Sequence, residues 1–346
     1  MEPARTPDIA ARYAGFARNE ARHHSEVYAD WAQQLAEDPD TVALVAQLPA
    51  AKRQPNIVFA AARLAGAEPG PYENLRHTLH QHFDVVAAHA AARSTQTNET
   101  ARLAVLLPLF AHLSDLHAGA PLALLEVGAS VGLCLWPEQW DYRYVDRSGT
   151  VLQEIGSPDP VGTLEVVVKE PLGRGTTLPT TVPAVVHRAG LDLDPLHPAD
   201  PEDAVWLRTL VWPGQQHRLA RLDAALAAAA RQPSPVVVGD LRDPQAIDAL
   251  LAAVPAGAVP VLFHTAVLAY LDDDDRARTE AALLGRVHAG QCHWIANEGQ
   301  QVLPGIRERV AADAGFEEAL RRGSFVVSLD GEPRYQADGH AQWILG

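Results

Sequence analysis

The chain has 346 residues, enough for a large core and for two domains of ordinary size. Hydrophobic residues at 47% and charged residues at 21% give the balance of a globular chain and exclude wholesale disorder. The formal net charge of -15 argues against a nucleic-acid or anionic-membrane surface, which would need clustered Lys and Arg, and suits a cationic ligand better.

From Asp8 to about Leu116 the pattern is helical, with turn signals at "EDPD", "LPAAKRQPN" and "GAEPGPYEN" between Ala/Leu-rich amphipathic segments. A helical domain over residues 1–118 with four or five helices and no strand is expected. After Pro121, short apolar runs bounded by Gly and Asp alternate with helical stretches, the pattern of a parallel α/β sheet. Strands are expected at Leu122–Val127, Val236–Gly239, Val259–Phe263 and His293–Asn297. "SFVVSLDG" and "AQWILG" are expected to close the sheet as an antiparallel pair at one edge. The α/β domain would then span 119–346 with an insertion at about 141–232, and the site would lie between the two domains at the carboxyl ends of the strands.

The stretch "LLEVGASVGLCLWPEQW" begins as a strand followed by a glycine turn, which places free backbone N–H groups at the ligand edge of an open α/β sheet. Glu126 stands where a methyltransferase commonly places an acid. Gly128 lets the turn reverse and Gly132 lets a ligand approach the backbone. Ser130 replaces the middle glycine, and Pro137 stops the following helix after about one turn. Asp240, after "VVVG", takes the position of an adenine-side acid.

The ordered set "QPNIVFAA", "TNETARLAVLLP", "LLEVGASVGL", "RAGLDLDPL", "WLRTLVWP", "GDLRD" and "LFHTAVLAYL" resembles a bacterial domain-of-unknown-function family with a methyltransferase-like fold. That family includes the large subunit of the azinomycin-type aziridine synthase. The resemblance implies an S-adenosylmethionine-methyltransferase-like, Rossmann-type sheet and an enzyme of antibiotic or other secondary-metabolite biosynthesis. It also implies aziridine closure, in which an internal amine displaces sulfate from carbon, on a carrier-bound amino substrate with a small partner subunit. "CLWPEQWDYRY" departs from the leucine-rich helix usual in that family.

Thr97 or Asn98 could cap the helix that follows "TNE", with Glu99 favouring its positive end; Asn98 and Glu99 could also face the pocket and bind an ammonium or take its proton. In "HRAGLDLDPL", Arg188 suits a sulfate or phosphate through its planar fork, and Asp192 and Asp194, sharing one face of an extended segment, suit an amine. Each could equally be part of a salt-bridged loop. His264 ends a strand at the ligand edge, either as a hydrogen-bonded strand cap or as a general base or donor to a leaving group. Glu298 is a further pocket acid.

His77, His80 and His82 fit a surface or packed helix face better than a metal site, and "LDDDDRAR" fits a helix start. Cys134 and Cys292 read as buried, with neither a disulfide nor a zinc site expected. "MEPARTPDIAARY" lacks an apolar signal core, so a cytoplasmic protein without membrane or nucleic-acid partners is expected. Taken with the resemblance, these residues lead to an expectation of substitution at saturated carbon by an amine, with no cofactor expected. The alternatives are an S-adenosylmethionine methyltransferase and a non-catalytic partner-binding scaffold.

Overall fold

The computed structural model describes residues 6–22, 24–96 and 98–346. They fall into two compact units. One comprises the described residues before Asn98 together with Ala199–Asp223, and the other comprises Asn98–Pro198 with Ala224–Gly346. No helix among them is long and apolar enough to cross a membrane.

The first unit holds the helices α1 (Thr6–Phe16), α2 (Glu26–Glu37), α3 (Pro39–Val45), α4 (Pro55–Leu64), α5 (Tyr72–Gln81) and α6 (Phe83–Ala92). Local chemistry sets their starts. Ser25 caps α2 by accepting from the Tyr28 N–H, Asp38 caps α3 by accepting from Asp40 and Thr41, and Pro39 and Pro55 occupy first-turn positions where no N–H is needed. Their apolar faces converge on buried Tyr28, Trp31 and Phe59, with Phe16 and Trp212 packed edge-on against the cluster. No strand occurs among its described residues.

The second unit begins with Asn98, so the helix α7 (Arg102–Leu116), expected with the helical domain, groups with the sheet. Pro108 inside α7 cannot donate to the carbonyl four residues earlier. The Tyr144 hydroxyl donates to that Ala104 oxygen at 2.9 Å, and the Tyr335 hydroxyl donates to Val105 O at 2.5 Å, so two buried tyrosines bind α7 where its own ladder fails.

Eleven strands form one mixed, mostly parallel sheet: β1 (Leu122–Val127), β2 (Asp141–Val145), β3 (Val151–Ile155), β4 (Thr163–Val168), β5 (Val185–Asp192), β6 (Val236–Val238), β7 (Val259–Thr265), β8 (His293–Gly299), β9 (Phe325–Leu329), β10 (Glu332–Ala337) and β11 (Trp343–Leu345). The order is β3-β2-β4-β11-β10-β9-β8-β7-β1-β5-β6, with β6, β5, β1, β7 and β8 all parallel. β1 is buried along its whole length, as a central parallel strand must be. The first unit also holds α8 (Pro201–Leu210) and the start of α9 (Gln216–Ala229), and the second holds α10 (Pro244–Ala252), α11 (Asp273–His288), α12 (Pro304–Ala312) and α13 (Ala314–Ala319). Leu125, Val127, Leu262, Trp294 and Ala296 on one sheet face pack with Ile247, Leu283 and Ile306 of α10 to α12.

Two expectations are corrected. The strand in "SFVVSLDG" pairs with Glu332–Ala337, and the strand in "AQWILG" lies inside the sheet, antiparallel to β10 and parallel to β4, so it closes no edge. The stretch 141–232 supplies β2 to β5 to the same sheet, and β5 is the direct neighbour of β1. The β11–β4 and β5–β1 pairings join segments far apart in the chain, and short-range alternation carries no trace of them.

Candidate functional site

The turn after β1 is built as its glycines require. Gly128 has φ +71 and a Cβ there would lie 2.5 Å from the Val267 methyls; Gly132 has φ +77. Ser130 adopts φ 52 without being glycine, a strained conformation that its neighbours hold. Its N–H donates to Asp192 Oδ2 at 2.8 Å and its Oγ accepts from Asn98 Nδ2 at 2.9 Å. The other Asp192 oxygen accepts the Asp194 N–H at 2.9 Å. β5 ends at Asp192, and Asp194 sits in the bend beyond it, so the two aspartates do not share a strand face. In place of a cofactor-facing α-helix, two short 3₁₀ turns follow, Leu133–Leu135 and Pro137–Gln139.

The "TNE" segment runs beside this turn. α7 starts only at Arg102 and no side chain caps it; Asn98 spends its amide on Ser130, while Glu99 Oε1 accepts the Ala101 N–H at 3.1 Å. Thr97 lies outside the described residues. Arg102 is buried, and its guanidinium donates to Thr265 O at 3.0 Å, Thr265 Oγ1 at 3.2 Å and Gly339 O at 3.0 Å. One cation thereby ties the end of β7 to the β10–β11 connection.

Glu126 is 4% exposed and its Oε2 has no hydrogen-bond partner. Burial pushes its carboxyl well above the ordinary value, opposed by the charge of Arg102 and reinforced by that of Asp192. Burial also raises the Cys134 thiol, with Glu126 and Glu99 adding to the effect, so this cysteine is no nucleophile.

Sheet register shows what shares the Glu126 face. Glu126 aligns with Phe263 on β7, and Phe263 meets Phe110 of α7 edge-on at 5.5 Å. Two residues further, Thr265 aligns with Asn297 on β8, so Glu126, Thr265 and Asn297 all point to the α7 side. Asn297 is 0% exposed, and neither its Oδ1 nor its Nδ2 has a partner; buried Thr100 likewise has an unpartnered Oγ1.

The opposite face holds His264 and Glu298. Trp294 Nε1–H donates to His264 Nε2 at 3.0 Å, which leaves the ring proton on Nδ1 to donate to Glu298 Oε1 at 2.7 Å. The same Glu298 oxygen accepts the N–H groups of Val267 at 2.8 Å and Leu268 at 3.1 Å. With both nitrogens used and the ring fully buried, His264 orients the turn after β7.

Two further candidates are engaged with protein groups. Arg188 donates from Nε to Leu135 O at 2.9 Å, pairs with Glu138 and stacks over Trp136, all in the stretch that departs from the family pattern. Asp240 is forked by Arg242, whose hydrogen bonds hold its carboxyl below the usual range, and Arg242 also reaches Asp275. Asp272 caps α11 by accepting from the Asp275 N–H, the helix start expected there. His80 Nε2 meets Thr41 Oγ1 at 2.9 Å. Among the described residues no group of three His, Cys, Asp or Glu could hold a metal ion.

The structure thus brings Asn98, Glu99, Glu126, Gly128, Ser130, Gly132 and Asp192 to one strand edge. It adds Arg102, Thr265 and Asn297, which sequence reasoning missed. Arg102 stands three residues after Glu99 in "NETAR" and Asn297 immediately before Glu298. Adjacency to a chosen acid was the one available signal.

The sequence matches, over residues 10–345, the family described as "Uncharacterized protein conserved in bacteria (DUF2332)", so the chain belongs to that family. No match was found among curated proteins.

Proposed function

We propose that the protein is an enzyme that activates an amine for substitution at saturated carbon, with intramolecular aziridine closure as the reaction. The observation that carries this reading is the buried Glu126, its Oε2 without a partner, beside Asp192 and Glu99 at the carboxyl end of β1. A carboxyl that burial raises well above its ordinary value is suited to proton transfer. Asp192 and Glu99 supply negative charge for the ammonium, and Glu126 takes its proton. The amine lone pair then forms the N–C bond as the C–O bond to sulfate breaks, and sulfate leaves with that electron pair. Alignment of nitrogen with the breaking bond can itself lower the barrier by roughly 7–11 kcal/mol. No charged side chain is assigned to the departing sulfate, because Arg188 is committed to Glu138 and Trp136.

A second reading, methyl transfer from S-adenosylmethionine, is favoured by the sheet. The order β6-β5-β1-β7-β8 reverses direction at β1, beside a glycine turn, as in methyltransferase-like folds. The 3₁₀ turns where a cofactor helix should start weigh against it.

Two measurements separate the readings. Release of sulfate from 2-aminoethyl hydrogen sulfate, faster with protein than without, supports ring closure. Calorimetric titration with S-adenosylmethionine is expected to show no micromolar binding. Micromolar binding with no sulfate release would replace ring closure by methyl transfer.

A further inference from the structure

We infer that Asn297 forms a second subsite, one that recognises a planar group presenting a hydrogen-bond donor and acceptor on the same edge, such as a primary carboxamide or a lactam. A buried amide in a folded protein almost always has its oxygen and nitrogen bonded, yet Asn297 is 0% exposed with both atoms unpartnered. Neither of its register partners bonds it. Thr265, in register beside it, accepts from Arg102 through both its hydroxyl and carbonyl oxygens, while Val327, its partner on β9, is apolar. A carboxylate would satisfy only the amide nitrogen and an ammonium only the oxygen. A carboxamide or lactam edge satisfies both at once.

The register also sets the spacing from Glu126. Asn297 lies two strands across and two residues along from Glu126, which at ordinary sheet dimensions is about 12 Å between Cα atoms on one face. A single ligand with an amine at the Glu126 end and a carboxamide or lactam at the Asn297 end fits that offset. The amine end rests on the function proposed above; the amide end does not.

The test uses the ¹⁵N,¹³C-labelled full chain, with the Asn297 side-chain NH₂ signals assigned through their own Cβ, and three probes. Butanamide carries no amine and tests the amide subsite alone; it is expected to shift the Asn297 signals saturably. Butanamide that binds nowhere, or binds and leaves those signals unmoved, overturns the subsite. n-Butylamine tests the amine end, and its failure to bind would remove the amine reading while leaving the Asn297 result to stand by itself. 4-Aminobutanamide is expected to bind at least ten-fold more tightly than either single-ended probe; equal binding overturns the claim that one ligand spans both ends. Asn297→Leu is expected to weaken butanamide at least ten-fold with n-butylamine unchanged.

Discussion

Asn297 and Glu298 are neighbours at the end of one strand, point to opposite faces of the sheet, and are both almost wholly buried. On the Glu298 face, one carboxylate oxygen gathers His264 and two backbone N–H groups, and Trp294 closes the second nitrogen of the ring. On the Asn297 face, the amide has no partner, one Glu126 oxygen has none, and the nearby cation Arg102 is turned toward backbone carbonyls. Both faces stand at the strand ends where catalytic groups gather, so position does not distinguish them. Hydrogen-bond satisfaction does. The first face is completed by the protein, save for Glu298 Oε2, and acts as a clasp; the second is left for something else to complete.

The largest expected effect breaks the second face. Glu126→Gln keeps shape and mimics the protonated acid, so turnover of 2-aminoethyl hydrogen sulfate should fall roughly 10²–10⁴-fold with folding intact, since general-base catalysis contributes that much. Equal turnover in the variant would move the base to Glu99 or Asp192. On the first face the damage should be to stability. His264→Ala strands Trp294 Nε1–H and removes one of three donors from Glu298 Oε1, and should cost about 1–3 kcal/mol in urea unfolding. A loss below about 1 kcal/mol would show that the clasp holds little, since burying one unsatisfied group already costs that much.

Arg188→Lys sharpens the comparison from outside both faces. It retains the charge but loses the stack on Trp136 and the donation to Leu135, so about 1–2 kcal/mol of stability should go while turnover stays near normal. A turnover collapse with unchanged stability would restore Arg188 as an anion site. The smallest effect lies in the helical unit. Thr41, Tyr72 and Arg76 donate to Asp38 and hold its carboxyl at about 2, against an ordinary 3.8. Its contribution is therefore present above pH 4 and lost as pH falls through about 2. Asp38→Asn should flatten the acid limb of the stability curve there, and an unchanged limb would contradict the assignment.

Much of the frame was readable in the sequence because its signals are local. Gly128 and Gly132 announce a turn that needs positive φ, Pro137 announces a broken helix, and β1, β6, β7 and β8 read as apolar runs. The sheet's outer half was not readable, because β11 finds β4 across some 170 residues of chain and each strand alone is only a short apolar stretch. The site divides in the same way. Glu126 and Asp192 stand on their own motifs. Arg102 and Asn297 matter only because the register of β1, β7 and β8 puts them on the face of Glu126, and nothing in "NETAR" or "IANEG" encodes that register. His264 shows the converse: its position at the ligand edge was legible, and the two bonds that occupy its ring were not.

The account stands most directly on the state of Glu126, which a ¹³C titration of its side-chain carboxyl reads. Because the folded protein holds this proton more tightly than the unfolded chain, stability should be highest below the unfolded value and decline as pH rises toward the folded one, a slope that Glu126→Gln removes. The carboxyl resonance itself should titrate well above the ordinary value of 4.5. A midpoint at or below 4.5 would mean that Arg102 pairs with an ionised Glu126 as a structural ion pair, and would contradict its assignment as the group that takes the proton.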